Sequence, residues 1–274
     1  MRNGLEPFPT AYQAFLLYLA LVLCEVVVSS ALRDANGMLG LSLEQHQALT
    51  VLLGNGCVFA LVMHFRNITY RSLFHDSPSS AKATLALIVP PVLLLVPALL
   101  LFMGYVQELL VRIAPLSAWE EQFFQRVGTN DIATVLAVCV LAPVLEEMLF
   151  RGIVLRGFLE RYSRSTAIFG SAVLFGAVHL NMYQFLVGLV AGTILGWLYE
   201  RTRSLIPCIA LHGAYNSGTI VLTGLAQSTN GELSIEAILS MWTASLAAAA
   251  CGAIALRRML TNRSGQQLPE QRSP

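Results

Sequence analysis

The stretch IATVLAVCVLAPVLEEMLFRG, residues 132–152, decides what kind of chain this is. It runs without a charge from Ile132 to Leu145, and then presents two adjacent carboxylates, Glu146 and Glu147, and an arginine, Arg151. An apolar helix of about 20 residues crosses a bilayer core, so the pattern predicts a membrane span over 132–151. Ionisable groups inside such a span are costly and mark function by default. Their spacing separates the two acids. Glu147 and Arg151 stand at i, i+4 on one helix face and can pair, which reads as an ion pair where the helix meets the cytoplasm. Glu146 is turned about 100° away and has no partner in its own helix. Pro143 lacks the N–H that a helix interior needs and predicts a kink just before the acids.

The rest of the chain agrees with a membrane setting. Of 274 residues, 55% are hydrophobic and only 12% charged, about half the charge of a soluble domain; the mean hydropathy is +0.64. The fold class expected is all-α, a polytopic membrane protein with about eight transmembrane helices, roughly 11–32, 47–65, 84–108, 132–151, 166–180, 183–200, 204–223 and 235–256. The first run is too long for a signal-peptide core and reads as an uncleaved span. With both termini in the cytoplasm, this count puts 14 of the 17 Lys and Arg residues on the inner side and leaves Arg33, Arg112 and Arg126 outside, as the positive-inside rule requires. Segment 109–131 mixes charge with Trp and Phe and is expected to lie along the outer interface. The polar tail 261–274 is expected to be disordered. A net charge of +1, with the charges gathered at segment ends, offers no basic face for nucleic acid. The five cysteines sit singly in separate apolar runs and form neither a disulfide framework nor a zinc spacing.

Two more polar pairs lie in the second half: Phe175-x-x-x-His179 and His212-x-x-x-Asn216, each at i, i+4. Brought near Glu146, the histidines could hold a water, donate to an oxyanion or protonate a leaving amine. Glu146 would be a general base for that water, and Asn216 a neutral donor for an oxyanion hole. The same three groups, Glu146, His179 and His212, would also compose a His₂Glu metal site with zinc as the candidate ion. The residues alone leave the two chemistries open. Counted from the expected cytoplasmic ends, Glu146 and His212 lie about 8 and 12 Å deep and His179 about 20 Å, a gap that a kink or tilt must close. Glu25 stands mid-span in the first helix and needs a partner on another helix or a cavity to line. Asn55, between Gly54 and Gly56, reads as a packing and hydrogen-bonding site. Gly188, Gly192 and Gly196 make a small-residue strip that permits close helix approach.

The ordered set Glu146-Glu147-x-x-x-Arg151, Phe175-x-x-x-His179 and His212-x-x-x-Asn216 resembles the CAAX prenyl endopeptidase and bacteriocin-processing (ABI, or CPBP) family of intramembrane proteases. The similar stretch is about 131–222. The resemblance implies an intramembrane endopeptidase in which Glu146 and His179 activate water, His212 and Asn216 stabilise the oxyanion, and Glu147, Arg151 and Phe175 support the site. It leaves the cofactor open between none and zinc. It implies a membrane-associated substrate, prenylated or bacteriocin-like; the cut is expected near the cytoplasmic half of the bilayer, and the short loops and tails suit a bacterial inner membrane. On this reading residues 1–130 are N-terminal membrane helices with the interfacial segment, 131–223 the protease core, 224–260 the last membrane helix and 261–274 the tail. Two rivals remain: a non-catalytic immunity or scaffold protein of the same family, and a proton-coupled transporter using Glu146 and His179 as a relay. A transporter usually shows an internal repeat, and none is visible.

Overall fold

The computed structural model describes residues 6–127, 132–228 and 234–261. The expected tail and the last part of the expected interfacial segment, residues 128–131, lie outside them. The described residues form helices joined by turns and short loops, with an isolated antiparallel bridge between His75 and Ser204. The first two helices, α1 (Ala11–Leu39) and α2 (Leu43–Arg66), pack as a hairpin. Each opens with a capping box: Thr10 with Gln13, and Ser42 with Gln45. The side chain of the cap takes an orphan N–H while the glutamine returns the bond. Gly40 ends α1 in the left-handed region at φ 62°, where a residue without Cβ meets no penalty.

A short helix, α3 (Tyr70–Phe74), precedes a broken span. Pro90, Pro91 and Pro97 divide the expected helix 84–108 into α4 (Ala81–Leu87), α5 (Val89–Leu93) and α6 (Val96–Ile113), because proline cannot supply the i→i−4 donor. The expected interfacial segment contains a ten-residue helix, α7 (Ala118–Val127).

The quoted stretch then forms one continuous helical run, Ile132–Arg161. It alternates between α8 (Ile132–Leu136), a π-helical turn at Ala137–Leu141, α9 (Ala142–Glu147), a second π segment at Met148–Leu155, and α10 (Arg156–Arg161). The first π turn ends where Pro143 denies an N–H to the carbonyl of Cys139. Wider i→i+5 pairing absorbs such a defect without breaking the helix. The expected end of this span at Arg151 is therefore corrected. Glu147 neutralises that arginine inside the protein, and the helix goes on for ten more residues.

Four helices complete the bundle: α11 (Arg164–Ala177), α12 (Met182–Thr202), α13 (Ile206–Ser228) and α14 (Ile235–Thr261). Six helices of the described residues are long and apolar enough to cross a membrane, Ala11–Leu39, Leu43–Arg66, Val89–Ile113, Ile132–Arg161, Met182–Thr202 and Ile235–Leu260. The eight expected spans correspond to these six together with α11 and α13. At 14 residues, α11 rises about 21 Å and is short for a bilayer core.

The glycine strip does what its spacing predicts. A Cβ on Gly188 would lie 2.8 Å from the Cα of Gly176, and one on Gly192 would lie 3.1 Å from the Cα of Ala172. The backbones of α11 and α12 thus touch directly. Glu25 also finds its partner. Asn55 on α2 donates to it at 3.0 Å, and Gly54 leaves the room, since a Cβ there would meet Glu25 Cγ at 2.5 Å.

One end of the bundle gathers the arginines. Arg66 and Arg161 bond backbone carbonyls of Glu6 and Pro7, Arg156 bonds the Ser72 carbonyl and Asp76, and Arg164 pairs with Glu200. The segment around α3 folds under this end. Leu205 donates to the Phe74 carbonyl and Asp76 to that of Arg203, so the α12–α13 turn is buried beneath it.

Candidate active site

Glu147 and Arg151 are 0% and 1% exposed, and their charges meet at 2.9 Å. They sit in the core rather than at an interface, a second correction with the same cause: the helix end lies ten residues further on. A buried charge needs all its partners, and Arg151 has several. Its guanidinium also donates to the Gly192 carbonyl at 3.2 Å and lies 4.4 Å above the Phe175 ring. The close approach of α11 and α12 brings that carbonyl and that ring to it.

Phe175 is the hub of the cluster. Its ring stands edge-on to Phe150, His179 and His212, with centroids 5.1, 5.5 and 5.7 Å away. Such T-shaped contacts are each worth about 0.5–1.5 kcal/mol, and together they hold two imidazoles and a guanidinium in a fixed arrangement. His212 Nδ1 lies 2.9 Å from Glu147 Oε1, a bond in which the carboxylate accepts. His179 Nδ1 lies 2.9 Å from the Phe175 carbonyl. A carbonyl only accepts, so Nδ1 carries the hydrogen and Nε2 is left as an acceptor. Asn216 donates to the Val138 carbonyl at 2.8 Å, in the first π turn. Gly213 lets α13 come this close, because a Cβ there would meet the Cys139 carbonyl at 2.8 Å.

Glu146 is the member left unsatisfied. Its Oε2 is buried and has no hydrogen-bond partner among the described residues, and the nearest basic group, His212 Nε2, stands 3.7 Å off. That is outside hydrogen-bond range. The side chain as a whole is 30% exposed, because it faces a cavity of about 490 Å³.

Glu146, His179, His212 and Asn216 all line this one cavity, on helices that the sequence alone could not bring together. The expected difference in depth disappears. The helix bearing Glu146 extends to Arg161, about 22 Å beyond that residue at 1.5 Å per residue, which is as deep as His179 lies from the start of α11. The α12–α13 turn is itself sunk under α3, which moves His212 inward. Phe175 lines the cavity as well, and Glu147 supports the site from behind.

The lining also includes residues that the motifs did not mark: Gln107, Gln184, Tyr215, Thr219 and Thr223. A signal for two of them was present. His212, Asn216, Thr219 and Thr223 recur at steps of four, three and four, which places them on one face of α13. Gln107 belongs to α6, which carries no motif.

The three candidate metal ligands do not fit a His₂Glu site as they stand. No group of three or more His, Cys, Asp or Glu side chains among the described residues is placed to hold a metal ion. His212 and His179 each turn Nδ1 to a protein acceptor, which leaves Nε2 as the remaining ring nitrogen of each.

Comparison with known proteins falls on this part of the chain. Residues 128–218 match the type II CAAX prenyl endopeptidase Rce1-like family. The resemblance carried by the three motifs is thereby borne out over the segment that holds them. A Bacillus subtilis (strain 168) protein bearing the name "Putative membrane peptidase YdiL" is 27% identical over 88 residues. The match covers 32% of this chain and 36% of that protein, so the chain spans about a third of its relative. No solved structure matches.

Proposed function

We propose that the protein is an intramembrane endopeptidase of bacterial inner membranes that hydrolyses a peptide bond with a water activated by Glu146 and His179. The observation that carries this reading is the buried, unpartnered Oε2 of Glu146 in a cavity it shares with His179, His212 and Asn216. An orphaned carboxylate oxygen beside a cavity with polar side chains in its wall is a seat for water. His179 Nε2, left as an acceptor, is the second basic atom on that cavity.

In the proposed reaction Glu146 takes a proton from the water as its oxygen bonds to the scissile carbonyl carbon. The carbonyl oxygen gains the electron pair. Asn216 meets it with the amide hydrogen left over from its bond to Val138, and His212 lies on the same wall. The C–N bond then breaks, and the proton held by Glu146 goes to the leaving amine. Glu147 and Arg151 are positioning residues: Glu147 fixes the His212 ring through Nδ1, and Arg151 fixes Glu147. The peptide is membrane-associated, prenylated or bacteriocin-like. No step passes through a metal, since the residues do not fit one.

The test is turnover of quenched peptides by the purified protein beside Glu146→Gln, each with and without a chelator. The expected result is a loss on the order of 10²-fold or more in the variant, with activity kept in chelator. Turnover unchanged by Glu146→Gln overturns the mechanism and returns the non-catalytic scaffold reading.

A further inference from the structure

The cavity has a direction. On the helix of Glu146 its lining runs back to Ala142 and Val138 and includes nothing beyond Glu146. On α12 it runs from Leu195 to Gln184, and on α13 from Leu211 to Thr223. All three helices carry it the same way, over about 12–18 Å at 1.5 Å per residue. The other direction is closed. Every residue from Glu147 to Leu155 is buried. Leu73 from α3 and Leu205 plug the space beside Gly152, where a Cβ would meet Leu73 Cδ1 at 2.6 Å.

The closed end is the arginine-rich one. Arg66, Arg71, Lys82, α10, the start of α11, the end of α12 with Arg203 just after it, and the end of α14 bring ten described Lys and Arg residues to it, whereas Arg33, Arg112 and Arg126 lie toward the open end. A bias of ten to three over short loops sets the orientation by the positive-inside rule. The floor of the cavity therefore faces the cytoplasm and its mouth the opposite surface.

We infer that the site is served from the non-cytoplasmic face, and that its substrate is an uncharged, extended segment of a translocated or membrane-anchored peptide. The inference rests on the peptidase reading and corrects the expected cut in the cytoplasmic half. Gln107, Gln184, Thr219 and Thr223 supply amides and hydroxyls along the mouth, suited to the backbone of an extended chain, and the remaining wall is mostly apolar. Among the described residues no Lys, Arg or Asp lines the cavity. A path of about 16 Å holds roughly five extended residues. A lipidated tail of a cytoplasmic protein would arrive behind the floor.

The experiment reads sidedness without needing turnover. Cys24, Cys57, Cys139 and Cys251 are replaced by alanine, and Cys208, which is fully buried, is kept. Thr223→Cys and, separately, Lys82→Cys are added and treated with a membrane-impermeant sulfonated maleimide, on spheroplasts and on inside-out vesicles. Thr223→Cys is expected to react in spheroplasts and Lys82→Cys in inside-out vesicles. Reaction of Thr223→Cys from the cytoplasmic face, or from neither face, overturns the inference. Thr219→Cys repeats the reading if Thr223→Cys does not reach the membrane. In a second arm, maleimide on Thr223→Cys lowers peptide turnover at least tenfold while the adduct on Lys82→Cys does not; equal effects overturn the inference. The peptidase reading fails separately, through Glu146→Gln.

Discussion

Replacing Arg151 by Met removes one half of a fully buried ion pair. Glu147, 0% exposed, then keeps its bond from His212 and loses the guanidinium at 2.9 Å. Its Oε2 already has no partner among the described residues. Breaking a buried pair from one side destabilises by about 3–5 kcal/mol, which lowers the unfolding temperature by about 6–20 °C in a protein of this size. The double variant Glu147→Leu with Arg151→Met leaves no charge behind and is expected to recover to within a few degrees of the parent, since apolar replacement of both partners is often neutral. Its turnover should nevertheless stay at least tenfold down, because His212 has lost the acceptor that orients it. Alkylation of Cys208 provides the assay. Its thiol is 0% exposed and lies 3.4 Å from the Leu195 carbonyl, and burial in the same core as Glu147 shields it until the bundle opens. The temperature at which it reacts, followed by peptide mass spectrometry, reports unfolding around the site. An unchanged temperature in Arg151→Met, or a double variant as unstable as the single, refutes this account of the pair.

Gly188→Ala should destabilise by about 1–3 kcal/mol, because its Cβ would meet the Gly176 backbone at 2.8 Å; Gly104→Ala, with nothing within 4 Å, serves as the neutral comparison in the same thermal assay. Asn216→Ala strands the Val138 carbonyl as well as the oxyanion donor. It should destabilise by about 1–3 kcal/mol and lower kcat per folded molecule, whereas a merely structural loss would reduce the folded fraction and leave kcat per folded molecule at the parent value. Glu25→Gln keeps an oxygen for the Asn55 amide and should leave both thermal stability and turnover near the parent values; a tenfold drop in turnover would give Glu25 a role in the chemistry, although it is not among the residues lining the cavity.

The sequence carried the chemistry of the site further than its geometry. Glu147 and Arg151 could be paired from their spacing, and the glycines of α12 could be read as a close-packing strip, because both are properties of a single helix. The depth of the site was not legible in the same way. Arg151 looked like the end of a span, since a lone charge usually is; only the partners waiting on α12 and α11 make it an interior residue. The bond from Asn216 to Val138 depends on a π turn, which leaves no signature beyond a proline six residues from its start. Gln107 and Leu73 come from stretches with no motif. Their contribution is set by how α6 and α3 pack, which one-dimensional spacing does not encode.

The matched segment, residues 128–218, does not end where the folding ends. The floor beneath its buried acids is made in part by Leu73, and the turn carrying α13 is stitched to His75 and Phe74 by backbone bonds and the bridge to Ser204. A transplant of the matched segment into another membrane scaffold would carry the reactive groups and leave a leucine-sized hole at the arginine-rich end. Any chimera or shortened version has to bring residues 70–76 with it. Relatives that differ elsewhere in their first half must fill that hole with something, and what they use would be a guide to which of them work from the same side of the membrane.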